Sequence, residues 1–124
     1  MKELDAIAKK YKKAAARLKE VLAKPKTAER RDSAIKRFEI TFDLAWKLTK
    51  EFLLKQKGVR CDSPKDCFRE AYRASLIKYD KYWLVMIDIR NQAVHTYSEK
   101  FADSLYKKLP DILKKFKELE QNLT

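Results

Sequence analysis

Glycine occurs once in these 124 residues and proline three times. Sheets joined by tight turns need more of both, so their scarcity favours long helices over a compact β architecture. No apolar stretch approaches the roughly 20 residues that span a bilayer, which argues against a membrane helix. The first residues, MKELDAIAKKYKK, alternate charge with apolar side chains and lack the hydrophobic block of a secretory leader. Cytoplasmic placement, with no membrane partner, is therefore expected. Histidine occurs once and cysteine twice. The spacing of Cys61 and Cys67 matches no common zinc pattern, and one histidine cannot complete a Cys/His tetrad within the chain. No metal site and no cofactor are expected, and in a reducing compartment the two thiols are expected to be free.

What the chain does have is 45% hydrophobic and 39% charged residues, enough for one sizeable core and a well-solvated surface. Its length predicts a single domain over residues 1–124. Lysine and arginine number 30 against 18 acids, for a net charge of +12. Such an excess suits a polyanionic partner such as RNA, and equally suits a lysine-coated soluble protein. It is uneven: residues 1–26 hold nine basic and three acidic groups, whereas residues 59–99 hold seven and six.

The apolar pattern has a helical period throughout, and no segment alternates as a strand would. Leu4, Ile7, Tyr11, Ala14, Leu18 and Val21 form the stripe of a first helix over about 2–23. Pro25 stops it, and Thr27 is placed to cap the next. The second helix carries Ile35, Phe38, Phe42, Ala45, Leu48 and Phe52 and closes at Gly58. Ser63-Pro64 opens a short third helix, with serine as cap and proline in the first turn. There Phe68, Ala71, Tyr72 and Leu76 can face inward. Asp80 caps a fourth helix carrying Trp83, Ile87 and Val94; Ser98 caps a fifth, in which Pro110 predicts a kink or short break. Four long helices and one short one, with short connections, predict an all-α, antiparallel up-and-down bundle.

Two segments carry candidate chemistry. In RFEITFDLAWK, Glu39 and Asp43 lie one turn apart, with Trp46 and Lys50 continuing the strip. Arg37 and Lys47 complete a dense set that reads either as a solvated charged face or as a contact surface built around tryptophan. In RNQAVHTY, Asn91 and His95 share one helix face and Arg90 stands about 100° around from Asn91. A guanidinium matches phosphate, and an imidazole exchanges protons near neutral pH. Together they suit cleavage of an RNA phosphodiester by its own 2′-hydroxyl. One histidine supplies an acid or a base, so a two-fold dimer that pairs two motifs would complete the site. A polar, locally hydrogen-bonded helix end is the competing reading.

Arg90-Asn91-x3-His95-x-Tyr97 resembles the Arg-x4-His-x-Tyr signature of HEPN domains, in particular the HepT toxin branch. Residues 37–47 resemble the second-helix motif of the small helical proteins known as nucleotidyltransferase substrate-binding proteins, a group of the same superfamily. With Ser63-Pro64 and the helix order, the likeness covers nearly the whole chain. It implies a dimerising bundle and a metal-independent ribonuclease toxin acting on RNA, with Arg90 and His95 catalytic and Asn91 supporting. It also implies a minimal nucleotidyltransferase partner of the MntA type, which serves as antitoxin by transferring AMP to Tyr97, in a homodimer or a higher hetero-oligomer. The alternative it carries is a non-catalytic substrate-binding subunit of a two-chain nucleotidyltransferase. Arg37, Glu39, Asp43, Trp46 and Lys47 would then form the subunit contact or pocket.

Overall fold

The computed structural model describes residues 2–78, 80–95 and 98–123. Five α-helices follow in order: α1 Lys2–Leu22, α2 Ala28–Phe52, α3 Pro64–Arg73, α4 Tyr82–His95 and α5 Glu99–Leu123. The described residues contain no strand, as the helical periodicity predicts. No helix among them is long and apolar enough to cross a membrane.

Side-chain caps set the helix starts. The Thr27 hydroxyl accepts the Arg30 N–H at 3.0 Å, Ser63 accepts that of Asp66 at 3.2 Å, and Ser98 accepts that of Phe101 at 3.1 Å. Each satisfies one of the amides that a helix start leaves without a partner. The Asp80 carboxylate takes the Tyr82 N–H ahead of α4 and pairs with Lys115 of α5. At the far end of α2 the backbone widens into a π-helical turn, Leu53–Lys57, closed by Gly58 at φ +66°. That left-handed conformation is open to glycine without steric cost, which accounts for the chain's single glycine.

α1, α2 and α5 pack on one another, while α3 and α4 lie against α2. Aromatic side chains join the layers. Phe38 and Phe42 of α2, Phe68 of α3, Trp83 of α4 and Phe116 of α5 form a closed ring of contacts, with centroids 4.4 to 6.3 Å apart. Tyr11 of α1 meets Phe116 edge-on, and its buried hydroxyl donates to the Phe116 carbonyl at 2.6 Å. Arg31, buried in α2, pairs with Glu99 and Asp103 of α5 and with its neighbour Asp32.

Four expectations are corrected. Cys61 and Cys67 are joined by a disulfide, with their Cα atoms 5.2 Å apart. Free thiols were inferred from compartment rather than geometry, and the loop after Gly58 folds back to bring Cys61 against the first turn of α3. α5 passes through Pro110 without a break. Pro110 is exposed while Leu105, Leu109, Ile112 and Phe116 on either side are buried, so packing on both flanks outweighs one lost backbone hydrogen bond. Tyr72 and Val94, assigned to the interior, are 46% and 56% exposed. The stripe of α4 instead runs through Trp83, Met86, Ile89 and Ala93. Finally, α3 ends at Arg73, so Leu76 is buried from the loop that follows rather than from the helix.

Candidate functional site

α4 is unusual in carrying apolar side chains on its outer as well as its inner face. Its inner face is buried, yet Leu84, Val85 and Val94 remain exposed on the outside. A helix of this kind normally has cover on every side. Spacings of four, three and four place Leu84, Asp88, Asn91 and His95 on one outer strip, and all four are exposed. Arg90 is half-buried about 100° around from Asn91, on the flank facing α2.

The two motifs meet there. Arg90 donates from Nε and Nη2 to the two carboxylate oxygens of Asp43, at 3.1 and 3.0 Å, in a side-on bidentate pair between α4 and α2. Arg90 is 22% exposed and Asp43 40%. Those hydrogen bonds raise the guanidinium's pKa above its already high ordinary value. The charges of Asp43 and Glu39 add to the effect, and partial burial opposes it. Arg90 is thus a permanent, oriented cation whose remaining N–H donors are uncommitted among the described residues. The Glu39 side chain is only 16% exposed and has Lys36 Nζ 3.9 Å away. Asn91 and His95 point outward, without a side-chain partner among the described residues. Tyr97, the expected modification target, lies outside the described residues.

The remaining second-helix residues divide between two flanks of α2. Trp46 packs half-buried against the core, with Lys50 Nζ 5.8 Å above its ring, and Lys47 is exposed. Arg37 turns the other way, towards α1, with its Nε donating to Ser33 Oγ at 3.1 Å. Proximity of Lys9, Lys10, Lys12 and Lys13 to the histidine motif does not follow from the packing. α1 rests on α2 and α5, while α4 rests on α2 and α3. Among the described residues no three His, Cys, Asp or Glu side chains are grouped to hold a metal.

Sequence reasoning assigned Asp43 to a contact surface and missed its pairing with Arg90. A usable signal was present. An arginine in a helix as apolar as YWLVMIDIR needs a counter-ion, and the second helix carries an acidic strip that could supply one. Asp88 was also passed over, though it lies one turn from Asn91 on the exposed strip.

The model of the family described as "Nucleotidyltransferase substrate binding protein like" matches residues 7–124. "Probable ribonuclease HepT" of Haemophilus influenzae is 34% identical over 85 residues, which are 64% of this chain and 58% of that protein. The match therefore spans little more than half of the curated relative. A crystal structure from Thermus thermophilus superposes with a TM-score of 0.86 at 34% identity, covering 91% of this chain and 98% of the other. A second, from Haemophilus influenzae and described as the fold of a substrate binding domain of a nucleotidyltransferase, gives a TM-score of 0.67 at 24% identity. It covers 98% and 97% of the two chains and speaks to fold alone. The chain belongs to the nucleotidyltransferase substrate binding protein-like family.

Proposed function

We propose that the protein is a metal-independent endoribonuclease of the HEPN type, acting in the cytoplasm as the toxin of a pair with a minimal nucleotidyltransferase. The observation that supports this most is the Arg90–Asp43 pair, which holds a fixed guanidinium beside the exposed Asn91–His95 strip. The bond between the RNA 2′-oxygen and phosphorus forms as that to the 5′-oxygen breaks, leaving a 2′,3′-cyclic phosphate and a 5′-hydroxyl. One imidazole removes the 2′-hydroxyl proton, a second protonates the departing 5′-oxygen, and Arg90 balances charge on the phosphoryl oxygens. Two copies of the chain supply the two imidazoles. The exposed Leu84, Val85 and Val94 on the same helix provide apolar surface for an isologous contact.

Regulation follows from Tyr97. Attack of its phenolic oxygen on the α-phosphorus of ATP, catalysed by the nucleotidyltransferase, forms a phosphodiester and releases pyrophosphate. The added AMP places bulk and negative charge two residues from His95, where it excludes RNA. The family description favours a second reading: a non-catalytic subunit that binds substrate for the nucleotidyltransferase.

The purified chain should cut RNA in EDTA and leave cyclic phosphate ends. His95→Ala and Arg90→Ala should each lose cutting while keeping the helical circular dichroism signal. Equal cleavage by His95→Ala would sink the catalytic assignment. The second reading predicts no cleavage by any variant, together with a stable complex with the nucleotidyltransferase. Incubation with that partner and ATP should add the mass of one AMP, and Tyr97→Phe should prevent the addition.

A further inference from the structure

The arginines along α2 fall into two classes. Arg31 is neutralised by Glu99, Asp103 and Asp32. Arg30 and Arg37 are held by uncharged acceptors instead. Arg30 Nη1 donates to the Pro25 carbonyl at 2.9 Å, and Arg37 Nε to Ser33 Oγ at 3.1 Å. These contacts orient the two guanidiniums without cancelling their charge. Both are half-buried and line a groove of about 220 Å³ between the end of α1 and the start of α2. Arg17 and Lys24 line it from α1, and so do two carboxylates, Glu20 and Glu29. None of the four cations lies within 4.0 Å of a carboxylate among the described residues. Four cations against two carboxylates leave the groove net positive. The first turn of α2, which carries Glu29 and Arg30, adds the positive end of its helix dipole.

We propose that this groove binds phosphates of a single-stranded RNA, as a contact separate from Arg90. Arginine presents several N–H donors in a fixed fork that suits phosphate oxygens. Two pre-oriented forks lose less conformational freedom on binding than free lysines do. Arg37 belongs to the second-helix motif but faces away from Arg90, and a second phosphate contact gives it a role. The choice of RNA as the polyanion rests on the ribonuclease reading; the anion site itself does not.

The test uses the full chain carrying His95→Ala, so that RNA stays intact, and a labelled single-stranded 12-mer read by fluorescence anisotropy over a salt series. Each phosphate contact contributes about 0.7 to the slope of log K against log salt. Arg30→Gln/Arg37→Gln should lower that slope by about 1.4 and weaken binding about 25-fold at 0.1 M salt. Lys107→Gln/Lys108→Gln, with the same charge change on exposed α5 positions, should move it far less. An equal loss in both double variants means diffuse attraction and overturns the site. If the arginine pair proves misfolded by circular dichroism, Arg17→Gln/Lys24→Gln, both exposed, takes its place with the same expectation. Displacement of the RNA by ATP as effectively as by unlabelled RNA, at equal phosphate concentration, assigns the groove to nucleotides and overturns the RNA assignment. Groove-dependent binding, together with no cleavage by the chain that keeps His95, refutes the ribonuclease reading and supports the groove. Unchanged binding in the arginine variant, with normal cleavage when the same two substitutions are made in the chain that keeps His95, refutes the groove alone.

Discussion

Asp43→Asn removes the charge that faces Arg90 while keeping size and one acceptor oxygen. Two charge-assisted hydrogen bonds at 3.1 and 3.0 Å join the wild-type pair. At about 4 Å between charge centres and an effective dielectric near 20, the gross attraction is about 4 kcal/mol. Most of it is offset by desolvation and by ordering of the side chains, because Arg90 is 22% and Asp43 40% exposed. Exposed pairs give roughly 0.2–1 kcal/mol, and bidentate geometry with partial burial puts this one at the top of that range, about 1 kcal/mol. Unfolding entropy near 2.1 cal/mol/K per residue, over 124 residues, converts that to a fall in Tm of about 4 °C.

The assay is a double-mutant cycle by urea unfolding, pairing Asp43→Asn with Arg90→Gln. Each single variant should lose about 1 kcal/mol and the double variant little more, giving a coupling of about 0.7–1 kcal/mol. Additivity within about 0.3 kcal/mol would mean that the pair does not hold α4 to α2 and would refute the reasoning. On activity, Asp43→Asn should lower RNA cleavage at least about tenfold, by releasing Arg90 from its fixed orientation.

Further outcomes follow from the core and the helix starts. Phe116→Ala should cost about 3–5 kcal/mol in chemical denaturation, because Phe116 touches Phe38, Trp83 and Tyr11 at once. Tyr11→Phe should cost about 1 kcal/mol by removing one buried hydrogen bond. Burial pushes the Tyr11 hydroxyl well above its ordinary pKa of 10.0, with the Glu120 charge acting the same way. The folded state therefore holds that proton more tightly than the unfolded chain. The resulting stability is full below pH 10 and declines as pH rises through the folded value. Tyr11→Phe should show a smaller loss in a urea series above pH 10, and an unchanged alkaline limb would contradict the assignment. Thr27→Ala should cost about 1 kcal/mol by leaving the Arg30 N–H without its cap, whereas Thr27→Asp should be nearly neutral in a thermal melt.

Helix starts were legible in the sequence because caps are short-range chemistry. Thr27, Ser63 and Ser98 each act on an amide three residues away, and the backbone alone fixes that geometry. The stripes of α1 and α2 were legible for a related reason, since each contrasts with a polar face. α4 gave no such contrast, and Val94 was turned inward while Met86 was missed. The Cys61–Cys67 pairing depends on how a loop folds against α3, and the Arg90–Asp43 pair spans 47 positions. Neither follows from local pattern. The candidate site was therefore legible as two separate segments and not as one arrangement.

That arrangement bears on why the second-helix motif and the histidine motif occur together. Within one chain, α2 contributes no group to Asn91 or His95; it contributes Asp43 to Arg90 and an aromatic ring to Trp83 by way of Phe68. α2 thus acts as the wall that sets α4's rotation, keeping Arg90 inward at the edge and the Asn91–His95 strip outward. A rotation of α4 by about 180°, close to two residues, would bury that strip and expose Met86, and a one-residue turn of about 100° would already carry Arg90 away from Asp43. The aromatic ring opposes such a rotation on the inner side and the ion pair opposes it at the rim. Phe68→Leu combined with Asp43→Asn should therefore impair cleavage more than the product of the single effects, with helicity retained. Strict multiplicativity in kcat/KM would show that the two contacts act on α4 independently.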